Sequence, residues 1–174
     1  YMFFTEGQTQ YLDQIDDQSN GYFVTKWTNL TDAGETASNT ADGGVNTDYP
    51  LFRLADVYLM LAEAVVRGGT GATMAEVTPY INELQQRAYG NNEHELTEYD
   101  ITEDFILKER ARELYWEGHR RTDLIRFGLF TTDTYKWQWK GGVKEGAKVD
   151  DKYNIYPIPS TELTANPNLY NENY

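Results

Sequence analysis

The segment LFRLADVYLMLAEAVVR, Leu51–Arg67, constrains the fold more than any other stretch. On a helical wheel its polar residues Arg53, Asp56, Glu63 and Arg67 share a sector of about 80°. Nearly everything else is apolar: Leu51, Phe52, Leu54, Val57, Leu59, Met60, Leu61, Val65 and Val66. A helix apolar over most of its circumference must be covered on most sides. Its longest apolar run, Val57–Val66, contains Glu63 and is too short to span a membrane. The polar stripe can pair within itself, Glu63 with Arg67 one turn on. Gly68, Gly69 and Gly71 then stop the helix. Such a helix needs partners, some of them upstream of the chain, so these residues are expected to fold poorly alone.

A second helix is expected within Thr73–Tyr89. Val77, Tyr80, Ile81, Leu84 and Ala88 form a stripe of roughly 100°, which leaves it half exposed. Thr73 opens the capping-box pattern TMAE. Pro79 would then lie deep in the helix, so Thr78 as N-cap with Pro79 at the first helical position is the cleaner start. Two helices joined by a short Gly-rich link form an antiparallel hairpin. A third helix begins near Thr102, with Ile101 placed to staple against Ile106, and runs to about Glu117 or Gly118. A last piece, Arg121–Phe127, ends at Gly128.

Residues 1–48 form a loop-rich segment with short strands, of which GYFVTKW, Gly21–Trp27, alternates enough to be one. Residues 129–174 form an irregular tail, where Pro157, Pro159 and Pro167 exclude long regular elements. The fold class is mainly α, helix hairpins with long loops, and the regions 1–48, 49–128 and 129–174 are expected to belong to one larger domain.

The net charge of −13 disfavours a nucleic acid or an anionic membrane as partner. The charge is uneven. Residues 1–48 hold one base and eight acids, whereas 129–174 hold five bases and six acids. The acidic front is expected to be solvated loop. DGGVNTD, Asp42–Asp48, lacks the alternating ligands and distal Glu of a calcium loop. There is no cysteine, which removes disulfides and thiolate chemistry, and His94 and His119 are too far apart for a zinc site. No metal or cofactor is expected. The first residue, Tyr1, without a signal-peptide pattern behind it, suggests part of a longer or processed chain.

The block ERARELYWEGHRRTDLIRFG, Glu109–Gly128, has the composition of an active site. On the third helix, Leu107, Ala111, Leu114, Tyr115 and Gly118 make a core face. Phe105, Ile106 and Trp116 lie on the other side among Glu109, Arg110, Glu113 and Glu117. A helix apolar on both sides is packed on both sides, so the charges between are partly buried and need partners. Helical spacing offers Arg110 with Glu113, Glu109 with Arg112, Glu117 with Arg120 or Arg121, and Asp123 with Arg126. This is an ion-pair lattice. Glu109 and Glu113 as a glycosidase-like pair would both stay ionised beside so many arginines, wrong for a general acid. HRRTD lacks the Gly-rich loop and metal motif of a kinase. His119 has no nucleophile nearby and is expected to be a packing residue. No catalytic residue is assigned.

Four blocks in this order, YPLFRLADVYLMLAEAVVRGG, INELQQRAYG, ILKERARELYWEGHRRTDLIRFG and YPIPSTELTANPNLY, resemble the RagB/SusD family over Tyr49–Tyr174. GYFVTKW resembles the stretch that precedes them. The resemblance implies a mainly helical fold with hairpins like tetratricopeptide repeats and a loop-rich ligand-binding region. It implies a non-enzymatic outer-membrane surface lipoprotein of Bacteroidetes. Such a protein captures oligosaccharides, or in some members peptides, above a TonB-dependent SusC-like transporter. It also implies that this chain corresponds to the C-terminal third, the lipid anchor lying in the part before it. Two departures stand out. The family's Gln-Asn-Pro-Gly-Tyr tail is here YNENY, with Tyr170, Glu172 and Asn173 substituted, and Gln85 stands where the family often has Arg.

Aromatic rings stack on sugars in this family, which makes Trp137, Trp139 and Trp27 the ligand-binding candidates. Packing of irregular loops is the competing role for each. In an extended WQW segment the two tryptophans would face the same way, as a platform or as a wedge into the core. The basic stretch KWQWKGGVKEGAK suits an acidic ligand or the transporter. A peptide-capturing member, and a helical-repeat interaction module with no small ligand, are the alternatives.

Overall fold

The computed structural model describes all residues except 1–2, 32, 39–43 and 172–173. Part of the DGGVNTD segment and two of the substituted tail positions, Glu172 and Asn173, lie outside the described residues. The elements in order are strands β1 (Phe3–Phe4) and β2 (Phe23–Val24), helices α1 (Leu54–Val66), α2 (Met74–Tyr89), α3 (Glu103–Glu113) and α4 (Arg120–Arg126), and α5 (Ser160–Ala165). Two 3₁₀ turns, Lys140–Gly142 and Asp151–Asn154, precede α5. The fold is mainly helical. The chain divides into two compact units, Tyr1–Arg120 and Arg121–Tyr174.

In the first unit α1 packs on both α2 and α3. Leu59, Ala62, Val77, Ile81 and Ile106 are fully buried at this junction; each large aliphatic contributes roughly 1.5–3 kcal/mol. The way α1 is covered differs from the expectation of near-complete enclosure. Its polar stripe turns inward, with Asp56 and Glu63 buried. Leu54, Val57 and Met60 are exposed, with Leu51 at 74% and Phe52 at 89% just ahead of them. The inward stripe is tolerable because it is paired: Arg110 of α3 donates to Asp56 at 2.7 Å, and Arg67 donates to Glu63 at 3.0 Å. The helix ends where Gly69 N–H bonds back to Ala64 O at 2.8 Å. A Cβ on Gly69 would stand 2.7 Å from that same oxygen, so only glycine permits this closure.

The start of α2 is Thr73, not Thr78. Both halves of the capping box form: Thr73 Oγ1 accepts from Glu76 N–H at 3.3 Å, and Glu76 Oε2 accepts from Thr73 N–H at 2.8 Å. Pro79 therefore sits inside the helix. Thr78 Oγ1 meanwhile donates to Met74 O at 2.8 Å. Asn82 holds the following loop, accepting from Leu96 N–H at 2.8 Å and donating to Leu96 O at 3.0 Å.

The third helix is shorter than its pattern implies. It ends at Glu113, and Trp116 adopts φ +61 in the turn that follows. Tyr115 and Trp116 are therefore not helical packing residues; both are exposed, Trp116 at 62%. Only a two-residue part of Gly21–Trp27 is strand, pairing antiparallel with β1 in the register Phe3–Val24 and Phe4–Phe23.

In the second unit Leu124, Phe130 and Val149 form the buried cluster. The tail is tied by its two remaining family-like positions. Asn171 exchanges hydrogen bonds with Ile158, 2.7 Å from Ile158 N and 3.1 Å to Ile158 O, and Tyr174 Oη donates to Lys152 O at 3.0 Å.

Candidate functional site

The charged block builds a lattice of ion pairs around the end of α3, in which Glu113 Oε1 is buried beside Arg53 Nη1 without an aligned hydrogen bond. Arg53, the residue before α1, uses its whole guanidinium there. Its Nε donates to Glu117 Oε2 at 2.7 Å, Nη2 donates to Glu113 O at 2.7 Å, and Nη1 lies 2.7 Å from Glu113 Oε1. One fork thus caps the C-terminus of α3 and neutralises two carboxylates. Lys26 bonds Glu117 and also Glu113 O, and Arg87 reaches Glu113 Oε2 at 2.5 Å. Arg112 pairs with Glu109 at 2.6 Å, and Arg120 donates to Leu107 O at 2.9 Å. Burial alone would raise the Glu117 carboxyl. The hydrogen bonds and charges of Arg53 and Lys26 outweigh that and hold it below the ordinary carboxylate range. The Arg53 guanidinium is raised in turn: Glu117 and Glu113 overcome the lowering effect of its burial.

The pairings cross the fold more than helical spacing suggests. Glu117 is held by Lys26 and Arg53 of earlier segments, and Arg110 reaches Asp56. In the second unit Asp123 and Arg126 pair at 2.8 Å. Arg121 donates to Tyr153 O and lies 4.0 Å from the Tyr156 ring centroid. Among the described residues no three His, Cys, Asp or Glu side chains gather as metal ligands.

Beside this lattice, Trp27 opens onto an aromatic groove. Trp27 stacks on Tyr49 with centroids 5.5 Å apart and planes at 27°. Its Nε1 donates to Trp116 O at 3.3 Å. The Tyr49 hydroxyl lies over Gly118, where a Cβ would be 3.3 Å away. These rings, with Asn29, Val45, Thr47 and Asp48, line a groove of about 250 Å³. Val45 is 61% and Tyr49 53% exposed, so the groove is open to solvent. Asn29 Oδ1 accepts from Asn46 N–H at 2.8 Å, and Thr47 Oγ1 donates to Thr28 O at 2.5 Å.

Trp137 and Trp139 sit differently. Trp137 is half-buried against the Leu124 cluster, edge-to-face with Phe130 at 6.1 Å and with Tyr135 at 6.0 Å. Trp139 has φ +64, so the segment turns there and WQW is not an extended platform. The turn passes close under the chain: a Cβ on Gly146 would lie 2.3 Å from Trp137 O. Tyr49, Asn29, Asp48 and Trp116 were not among the sequence candidates. The junction VNTDYPLF around Tyr49 offers no periodicity to single it out, and a positive φ at Trp116 is a conformation that L residues rarely adopt.

Helix hairpins joined by long loops place the chain among mainly helical proteins. The SusD family model matches residues 4–174, and the chain belongs to the SusD family. It is 42% identical over 163 residues to the starch-binding protein SusD of Bacteroides thetaiotaomicron, covering 93% of this chain and 28% of that protein. The SusD-like protein P25 of Formosa agariphila is 35% identical over 122 residues, 68% of this chain and 22% of the relative. A crystal structure of a SusD superfamily protein from Bacteroides vulgatus superposes with a TM-score of 0.58 and 31% identity, over 81% of this chain and 31% of that one. The chain thus spans less than a third of the length of the relatives it matches.

Proposed function

We propose that this protein captures oligosaccharides at the outer surface of a Bacteroidetes cell and passes them to a TonB-dependent, SusC-like transporter. In this reading it is a lipoprotein of the outer membrane. The observation that carries the proposal is its 42% identity, over 93% of the chain, to a starch-binding protein. Stacked rings beside uncommitted polar groups support it, because a sugar offers an apolar face and a rim of hydroxyls. Trp27 is the foremost contact. Trp139 and Trp137 follow, the latter with most of its ring turned to packing.

No turnover is part of this function. Glu109 and Glu113, the carboxylates that resemble a catalytic pair, are held by Arg112 and by Arg53 and Arg87, and the neighbouring Glu117 is kept ionised by Arg53 and Lys26, the reverse of what a general acid needs. Binding therefore relies on ring contact and hydrogen bonds, with no covalent step. Migration in native gels cast with soluble polysaccharides, with peptide mixtures as competitors, tests the reading. Retardation by one polysaccharide class, unaffected by peptides, is expected. Unretarded migration with every polysaccharide, together with peptide binding, would replace it by peptide capture.

A further inference from the structure

We propose that the Trp27–Tyr49 groove is a subsite for a single neutral hexose unit, with Asp48 and Asn29 contacting its hydroxyls; this rests on the glycan-capture reading. Size sets the unit. At about 250 Å³ the groove falls just below the roughly 300–1,000 Å³ of pockets that enclose drug-sized ligands, room for one ring and not for an oligomer. Longer glycans would extend out of the open side.

Chemistry sets the class. The aromatic wall offers an apolar plane for the C–H face of a pyranose. The polar wall is complementary to hydroxyls, each of which both donates and accepts. Asp48 has a carboxylate that only accepts, and among the described residues nothing pairs with it. Asn29 has committed its oxygen to Asn46 N–H at 2.8 Å, and its amide NH₂ remains to donate. Thr47 donates to Thr28 O, which leaves its oxygen to accept.

Charge sets the selectivity. None of the described lining residues is cationic, and residues 1–48 carry eight acids against one base. That base, Lys26, is already engaged by Glu117. A uronate or sulfated ring would meet Asp48 without a counter-charge, so a neutral ring is favoured. The walls are set before any ligand arrives. Trp27 is tied to Trp116 O, Tyr49 rests over Gly118, and the turn bearing both is pinned by Arg53.

The indole N–H line of Trp27 in a ¹⁵N-labelled sample, identified by its loss in Trp27→Phe, reads the groove directly. Methyl glucoside, methyl galactoside and methyl mannoside are titrated, with methyl glucuronide as the charged counterpart. At least one neutral hexoside is expected to move the Trp27 line and leave the Trp137 line in place. Tyr49→Ala should weaken that binding about tenfold. Asp48→Asn, at an exposed side chain, should let methyl glucuronide move a line it leaves still in the unmodified protein. A Trp27 line unmoved by every neutral hexoside, or moved equally in Tyr49→Ala, overturns the subsite; polysaccharide retardation in gels would then still stand. Methyl glucuronide acting as strongly as methyl glucoside on the unmodified protein overturns the neutral selectivity. Movement of the line without retardation by any polysaccharide would keep the subsite and overturn polymer capture.

Discussion

The end of α3 and the Trp27 groove contain similar groups in opposite states. Glu113 and Glu117 are buried, and each carboxylate meets two cations. Asp48 is exposed and has no partner among the described residues. The charged block is the more conspicuous in sequence, yet its charges are spent on one another and on the carbonyl at the end of a helix. The quieter loop keeps donors and acceptors open beside two rings. Buried charges that neutralise each other fix how helices cross, whereas open polar atoms next to an apolar plane can be used by a ligand.

Arg53→Ala should break the ion-paired side of this comparison most severely. It strips Glu113 and Glu117 of a shared cation and leaves Glu113 O without one of its donors. A loss of about 3 kcal/mol is expected in urea unfolding, the low end for a broken buried pair. Arg112→Ala removes a largely exposed partner of Glu109 and should cost less than about 1 kcal/mol. Equal losses would mean that burial does not rank these pairs.

The acid side of the stability profile gives the next largest effect. The folded Glu117 carboxyl lies below its ordinary value of 4.5. Its contribution is therefore complete above that value and is lost as pH falls through the lower, folded one. Arg53, raised further above its usual range, stays charged throughout and adds no slope there. Urea midpoints should fall steeply below about pH 4.5 in the unmodified protein, and less steeply in Glu117→Gln. Identical slopes would show that Glu117 is not selectively held.

Tyr49→Ala tests the open side. Loss of one ring contact should reduce hexoside affinity about tenfold, while unfolding stability shifts by less than about 1 kcal/mol because the ring is half exposed. A large stability loss with unchanged affinity would make the Trp27–Tyr49 stack a structural contact and collapse the contrast between the two regions.

What the sequence conveys follows the range of the forces involved. The hairpin of α1 and α2 and the start of α3 at Thr102 are local, set by periodicity and caps. Pairs one turn apart, such as Glu63 with Arg67 and Glu109 with Arg112, are local too. Asp56 with Arg110, or Lys26 with Glu117, depends on how separate segments cross, and spacing within a helix carries no such information. The inward turn of the α1 polar stripe follows from the same crossings. The capping box at Thr73 is legible in TMAE, and it wins over the proline: Pro79 removes one helical hydrogen bond, and the reciprocal cap and surrounding packing offset that loss. Among the tryptophans, sequence could propose Trp27 only through the family resemblance. Its pairing with Tyr49 and the polar rim of Asn29 and Asp48 arises from closure of the loop between Trp27 and Tyr49.

Trp116 offers the smallest and most diagnostic effect. It holds φ +61 while its ring is 62% exposed, so the backbone carries a cost without burial to match. A left-handed conformation costs an L residue roughly 1–2 kcal/mol, and asparagine tolerates it better. Trp116→Asn should therefore be neutral or stabilising by up to about 1 kcal/mol in urea unfolding. The Trp27 indole should keep its hydrogen bond, because its acceptor is the Trp116 carbonyl and not the ring. The Trp27 N–H line would then remain near its position in Trp116→Asn, and hexosides would still move it. A loss of stability above about 1 kcal/mol, with a displaced Trp27 line, would mean that the Trp116 ring braces the groove wall and that its strained backbone is held in place by packing.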